Sequence, residues 1–463
     1  MRTRLSKLFR FSWAGLLVLI IVTGVLVSFG RLASPYLDEF KSDIESEISA
    51  LISSSVSIDR IKTKWAGFGP KLELHNIVIQ QGDDDASTLY LRQIDLDLGI
   101  KSLFSDGQFL PWNITLHGLS LRLTMDLNGE IEVVGISNRP SSTGSSNYSL
   151  EPLFELRRIE LVDTQIFWVD ETGRTPSTHF EHLDLLMRND DQRHQVDLTF
   201  SIADEKEQNI KIAADIRADI DSLENMDGEF YIKADNVRPI NWLKSIIPAN
   251  VVFNDATSSA TVWISAKQGQ ISSIQGQVEI SNMSVQQVDN QQTLELDKVS
   301  SEFNWQQNGD QQLFELNDFE LHTANKSWPS SRLYYKRQAD ETFFSLDHFD
   351  ADFWPDVLPF LPDEKLQTLK QFNLAGQAHN IKANWKADFS SWFASAELDQ
   401  VSVTPALKEG TTAIGDIQFP GIENLSGKML ASQLGGKLSI DSEASRFSQP
   451  GLFRDAIPIK KMT

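Results

Sequence analysis

The chain contains no cysteine among its 463 residues. That removes disulfides, thiol nucleophiles and cysteine-bound zinc, so an exported part must fold without covalent cross-links. A glycine-rich phosphate loop, a Gly-x-Ser-x-Gly elbow and a His-Glu-x-x-His pair are also missing. The eight histidines are scattered, and only His179 and His182 lie close together. Their segment reads as a loop entering a strand, where the two side chains point to opposite faces. Asp83-Asp84-Asp85 lacks the spaced ligands of a calcium loop and reads as a solvated turn. No catalytic residue, metal site or cofactor motif emerges, and the chain does not read as an enzyme.

Basic residues are scarce, 42 against 64 acids, for a formal net charge of −22. The first 31 residues hold five of the basic groups and no acid, so the remainder carries 37 basic against 64 acidic residues. Such a surface disfavours nucleic acid and anionic lipid headgroups. The acids alternate with apolar residues, which places them on the solvated face of strands. Long hydrophobic runs are equally rare. One stands out, the 19 uncharged residues from Phe11 to Phe29, preceded by Arg2, Arg4, Lys7 and Arg10. As a helix it would be roughly 28 Å long, against a bilayer core of about 30 Å. The expectation is a cytoplasmic tail at 1–10, a transmembrane helix at 11–29 with Phe11 and Phe29 at its ends, and a translocated remainder. The competing reading is a signal peptide cleaved near Ser28-Phe29-Gly30, although the run is longer than the usual apolar region of such a peptide.

Ser34 and Pro35 suit a helix start, and Leu37, Phe40, Ile44, Ile48 and Leu51 then fall at helical spacing. An amphipathic helix over 34–52 is expected. Its acids argue against an anionic membrane surface and for a role in capping a sheet. From 56 to 463 nearly everything reads as strand and turn, with an apolar content (41%) sufficient for a large core. Turn signals stand at Gly82-Asp83-Asp84, Asn128-Gly129 and Asn308-Gly309. A serine-rich loop is expected over 140–149, and short helical pieces over 239–247 and 355–370. Trp65, Trp168, Trp263, Trp305 and Trp385 read as core or groove lining. The strand signal beginning at Gly451 breaks off at Thr463, which suggests a chain cut from a longer one.

One pattern organises the strands: apolar, acidic, apolar, any, Asn or Asp, apolar, any, apolar. Copies start at Leu72, Ile159, Val278 and Phe314; the copy at Ala396 has Gln400 at the polar position, and that at Ile114 has Gly118. A second strand opens 21 to 24 residues after the start of three copies, at Ile94, Leu183 and Val299, but whole copies recur irregularly. Side chains alternate faces along a strand, so Leu72 and Leu74 share a face with Ile77 and Ile79 only if one extra residue intervenes. Asn76, Asp163, Asn282, Asp318 and Gly118 are therefore read as bulges, or as tight turns between short strands. Either way one continuous apolar face results. Its candidate residues are Leu72, Leu74, Ile77, Ile79, Ile159, Leu161, Ile166, Val278, Ile280, Leu316 and Leu321. They suit an open groove and a packed sandwich core equally well.

The run from Arg31 to Lys41, the run from Trp65 to Glu73, Trp328-Pro329-Ser330 and the stretch from Phe453 to Pro458 resemble the AsmA-like family. The resemblance implies a large protein anchored in the inner membrane of a Gram-negative bacterium. Its periplasmic part, 56–463 here, would be a long twisted antiparallel repeat sheet forming an open, taco-like groove, incomplete at its C-terminal end. The implied function is passive transport of phospholipid between the two membranes, contributing to the outer-membrane barrier. Acyl chains would be the partner in the groove, with room for a partner protein in either membrane. The alternative is a periplasmic scaffold that assists outer-membrane protein assembly by strand addition at a free edge.

Overall fold

A computed structural model describes residues 41–52, 54–66, 69–80, 88–97, 113–129, 131–133, 156–190, 192–203, 208–218, 225–238, 251–288, 291–357, 360, 372–405, 420–449, 453 and 455–459. The expected span from Phe11 to Phe29, the acidic turn at 83–85, the loop at 140–149 and the helix at 239–247 lie outside them. Among the described residues no helix is long and apolar enough to cross a membrane. The chain divides into two compact units, Met1–Met226 and Asp227–Thr463.

In the first unit a helix, α1 (Lys41–Ile52), precedes β1 (Ser55–Ala66), β2 (Gly69–Gln80), β3 (Thr88–Asp97), β4 (Asn113–Met125), β5 (Ile131–Val133), β6 (Arg158–Asp170), β7 (Thr178–Asp190), β8 (Arg193–Ile202) and β9 (Asn209–Arg217). Neighbouring strands pair antiparallel in sequence order, with one exception that corrects the expected all-antiparallel sheet. β4 and β6 run parallel, with Asn113 opposite Arg158 and Met125 opposite Asp170. The chain between them returns to the end where β4 began, as a parallel pair requires. The short β5 pairs with residues 123–125 of β4, beyond the end of β3.

The second unit is a meander of β10 (Asp227–Val237), β11 (Val251–Lys267), β12 (Gln270–Gln287), β13 (Thr293–Asn308), β14 (Gln311–His322), β15 (Ser327–Gln338), β16 (Glu341–Asp350), β17 (Phe372–Lys386), β18 (Trp392–Pro405) and β19 (Gly421–Ser432). β20 (Gly435–Ile440) and β21 (Ser445–Ser448) share the far edge of β19, and β22 (Ile457–Ile459) pairs with β21. A 3-10 turn (Ala351–Phe353) and α2 (Trp354–Val357) follow β16, where part of the expected 355–370 helix begins.

The choice between bulge and turn is settled by the backbone. Asn76, Asp163, Asn282, Asp318 and Gln400 have φ between 48° and 54°, Gly118 has φ 61°, and all six lie inside continuous strands. They are extra residues, not strand ends. In β1 to β6 these residues do not shift the pairing, because each neighbour carries an extra residue at the same level. Ile58 faces Ile77 and Arg60 faces His75, so Asp59 and Asn76 drop out together. Arg92 with Gly118, and Gly118 with Asp163, do the same. Side chains bridge along this crease. Asn76 Nδ2 donates to Asp59 Oδ2 at 3.2 Å, and Arg92 Nη2 donates to Asp163 Oδ2 at 2.9 Å. Arg92 crosses directly over Gly118, where a Cβ would lie 2.7 Å from its guanidinium. In the second unit the pairing does slip at several kinks, such as between Leu316 and Phe319.

Besides Gly376 and Gly427, four further described residues with positive φ inside strands escaped the sequence pattern: His182, Asn236, Asn380 and Asn424. A kink frees a backbone N–H from the ladder, and a neighbouring strand supplies an acceptor. Asp163 N donates to Asp184 Oδ1 at 2.8 Å, Asn236 N to Ser259 Oγ at 3.1 Å, Gln400 N to Ser426 Oγ at 2.9 Å and Asn424 N to Ser402 Oγ at 3.0 Å.

An aromatic knot closes one end of the second unit. The Trp328 ring meets Phe319, His348 and Phe349 edge to face, tilts against Phe353, and donates from Nε1 to Ser331 Oγ at 2.9 Å. Lys326 ties the 3-10 turn and α2 to this end through Asp352 O at 2.7 Å and Asp356 Oδ2 at 2.6 Å. His348 Nδ1 lies 3.2 Å from His379 Nδ1. Burial, and then the neighbouring His379, push the His348 pKa down, against an opposing pull from Asp350.

Two measurements follow from these features. Asn76→Val and Asn282→Val place a β-branched side chain at positive φ and should each cost about 1–3 kcal/mol in denaturant unfolding, whereas Asn76→Gly should be nearly neutral. Equal stability of the valine variants and the parent would refute the kinks. The second measurement concerns pH. Unfolded His348 binds a proton more readily than the folded residue, so its contribution to stability is complete above a pH of about 6.5 and declines as pH falls below it toward the depressed native value. Melting temperatures over this range should fall with acidity in the parent and fall less in His348→Gln; parallel curves would contradict the assignment.

Candidate functional site

Kinked alternation gives each unit an apolar face. In the first, Val56, Ile58, Ile61, Leu74, Ile77, Leu89, Leu91 and Leu119 form one buried cluster, with Leu74 2% and Ile77 3% exposed. Leu72, Ile79 and Leu161 pack against it, as do Ile44 and Ile48 of α1. The helix also covers the outer edge of β1: Val56 N donates to Ser49 Oγ at 2.9 Å and Ile58 N to Glu45 Oε1 at 2.7 Å. These backbone donors would otherwise form an open edge, a template for unwanted strand pairing. Ile159 is buried, and Ile166 is half-buried opposite Phe180. At this end Leu74, Ile77 and Ile159 are thus buried, while Leu72, Ile79, Leu161 and Ile166 are half-buried.

The opposite face of the same strands corrects the expectation that its acids are all solvated. Glu73 and Asp95 are only 5% and 7% exposed. Lys64 Nζ lies 2.9 Å from Glu73, and Lys71 Nζ lies 2.9 Å from Asp95. Gln93 Nε2 donates to Asp95 Oδ1 at 2.6 Å. Burial pushes the Asp95 carboxyl up, but the hydrogen bonds from Gln93 and Lys71 and the Lys71 charge prevail and hold it below the usual range. The hydrogen bond to Asp95 holds Lys71 above its ordinary value in turn. Burying such charges is tolerable only because they are paired.

In the second unit the apolar face is built differently. One row runs Phe303, Leu316, Leu333, Leu346 and Ile381 across β13 to β17. A parallel row runs Trp305, Phe314, Tyr335, Phe344, Ala383 and Ala394. Val278 stands between Ala260 and Ser301, and Ile280 beside Val299, which faces Leu321. All four candidates of this unit, Val278, Ile280, Leu316 and Leu321, therefore share one face, and all are half-buried. Gly276 lets Phe303 lie close to the strand: a Cβ there would meet Thr261 O at 2.3 Å and Phe303 Cζ at 3.0 Å. Among the described residues the closest backbone approaches between elements in this unit are those of neighbouring strands and of the short helical segment beside β17. The side chains of each row stand beside one another on this face and are half-buried.

Trp305 was read as core or groove lining, but Phe303, Phe314, Tyr335 and Phe344 of these rows were missed, although the alternation Phe303-Asn304-Trp305 announces the first of them. Trp305 and Trp385 lie on the apolar face; Trp263 lies on the other and is exposed. His179 stacks on Phe167 at 4.0 Å and His182 lies 3.3 Å from Asp163 Oδ1. Among the described residues no group of three or more metal-ligating side chains occurs.

A half-buried apolar face on a strand meander suits contact with an extended apolar ligand. No solved structure matches the chain. A curated relative, the intermembrane phospholipid transporter YhdP of Escherichia coli K12, is 24% identical over 326 residues, which cover 68% of this chain and 24% of the relative. The matched part thus spans about a quarter of that protein's length. A family model described as "YhdP protein" matches residues 1–463, from end to end, and the resemblance carried by the runs at 31–41 and 65–73 narrows accordingly: the chain belongs to the YhdP family.

Proposed function

We propose that this chain is the membrane-proximal part of a passive phospholipid conduit in the Gram-negative envelope. The observation that carries the reading is the half-buried apolar face of the second unit, with its cross-strand rows of aromatic and aliphatic side chains. Acyl chains lie along that face and trade water for apolar contact, worth about 25 cal/mol per Å² buried. Headgroups stay in water, and no bond is made or broken. The name of the Escherichia coli relative supports phospholipid as the cargo. In this reading Phe11 to Phe29 anchor the chain in the inner membrane, with 1–10 in the cytoplasm and 56–463 in the periplasm. In the first unit the apolar face lies beneath α1 and Leu74 and Ile77 serve the fold, while Val278, Ile280, Leu316 and Leu321 of the second unit touch lipid.

Native mass spectrometry of the gently extracted chain should find bound phospholipid. Ile280→Asp should abolish that lipid and keep the melting transition, because the carboxylate at a half-exposed site stays hydrated. Leu74→Asp buries an unpaired acid in the closed cluster and should cost several kcal/mol. A parent chain without lipid, or an Ile280→Asp variant that unfolds, would replace the conduit with a packed core.

A further inference from the structure

On the face of the second unit opposite the apolar one, β15, β16 and β17 form a depression of about 720 Å³. Its floor is aromatic. Tyr334 and Phe343 meet edge to face with ring centres 5.7 Å apart, and Phe343 remains 38% exposed. Four cations line the depression: Arg332, Lys336, Lys382 and Lys386. The register sets Lys336 beside Phe343, and Lys382 beside Ser345, which in turn neighbours Tyr334. Two acids also line it, Glu315 and Glu341, and Glu315 already accepts a hydrogen bond from Asn304 Nδ2 at 3.0 Å. Among the described residues Lys386 has Asp340 at 3.9 Å, while Arg332, Lys336 and Lys382 have no ion-pair partner.

Three uncommitted cations around the exposed Phe343 ring and the half-buried Tyr334 are out of keeping with a chain of net charge −22. Elsewhere on the same face lysines are answered by acids, as in Lys298 with Glu279 at 2.8 Å and Lys428 with Glu397 at 2.7 Å. We propose that this depression binds a small phosphate-bearing molecule whose phosphate sits beside an apolar or ring portion. Ammonium and guanidinium groups supply charge-assisted donors for phosphate oxygens. The Tyr334–Phe343 floor receives the adjoining methylenes or ring. The volume falls within the ~300–1,000 Å³ typical of small-ligand sites, which favours a compact ligand over a protein surface. The negative field of the rest of the chain repels anions at long range, so recognition here is short-range and weakens with salt. Free phosphate esters and the headgroups of anionic phospholipids share this chemistry. The site lies on the other face from the lipid trough and stands or falls without it.

Calorimetric titration of the 463-residue chain in detergent, with pyrophosphate and with glycerol 3-phosphate, tests a free anion. Flotation with phosphatidylcholine vesicles, with and without phosphatidylglycerol, tests a headgroup. The expected result is saturable binding in one of these arms, weakened by salt and reduced by about tenfold or more in Lys336→Gln/Lys382→Gln. Phe343→Ser should weaken glycerol 3-phosphate more than pyrophosphate, a difference that loss of folding would not produce. Lys233→Gln, which removes a lysine held 3.1 Å from Asp235, should leave binding unchanged. The proposal is overturned if no probe binds, if the double variant binds as the parent does, or if polyglutamate competes as well as phosphate, which would mark a docking surface for acidic protein.

Discussion

The fold depends on a parity constraint. Side chains alternate along a strand, so a sequence whose apolar positions switch from even to odd must absorb one residue where they switch. A positive-φ residue does this at a backbone cost that Asn, Asp and Gly bear most easily. Its N–H then leaves the ladder and must find another acceptor. The crease from Asp59 through Asn76, Arg92 and Gly118 to Asp163 shows the constraint passing sideways. Once one strand holds an extra residue, its neighbour must hold one at the same level or shift its pairing. The first unit takes the former course through β6, and the second takes the latter at several strands.

This constraint explains how much could be read in advance. The copies at Leu72, Ile159, Val278 and Phe314 have large apolar residues on both sides of the kink, so the switch of parity was visible, and so was the kinked residue. Asn380 follows Ala378-His379, and Asn424 follows Ile422-Glu423 without a second apolar flank, so neither shows it. The acceptors Ser259, Ser402 and Ser426 lie on other strands, 22 to 26 residues from the N–H they satisfy, and nothing local marks them. Burial of Glu73 and Asp95 was hidden for a similar reason: alternation gives the face of a residue, not what stands beside it. The parallel pairing of β4 with β6 has no local signature at all.

The apolar face was legible, but its exposure was not. Leu74 and Ile280 occupy equivalent places in two copies of one pattern. Leu74 ends in a closed cluster because Ile44 and Ile48 of α1 lie against its neighbours. Ile280 is left among its own row. What separates the buried place from the half-buried one is a short helix distant in sequence from most of the strands, and similar strand chemistry serves both outcomes.

The order of pairing bears on how such a chain is assembled. Within each unit almost every strand lies beside its predecessor, so contacts are local and loop-closure entropy is small. A chain emerging from its N-terminal end can add strands one at a time to a single growing edge. The other edge is already occupied at its start, since Ser49 and Glu45 accept from the N–H groups of Val56 and Ile58 in β1. Growth therefore has a direction from the first hairpin onward. The one pause comes after β4, whose parallel partner begins only at Arg158. There β5 takes up residues 123–125 on the β3 side, and the edge awaiting β6 is the longest-lived open edge in the nascent first unit.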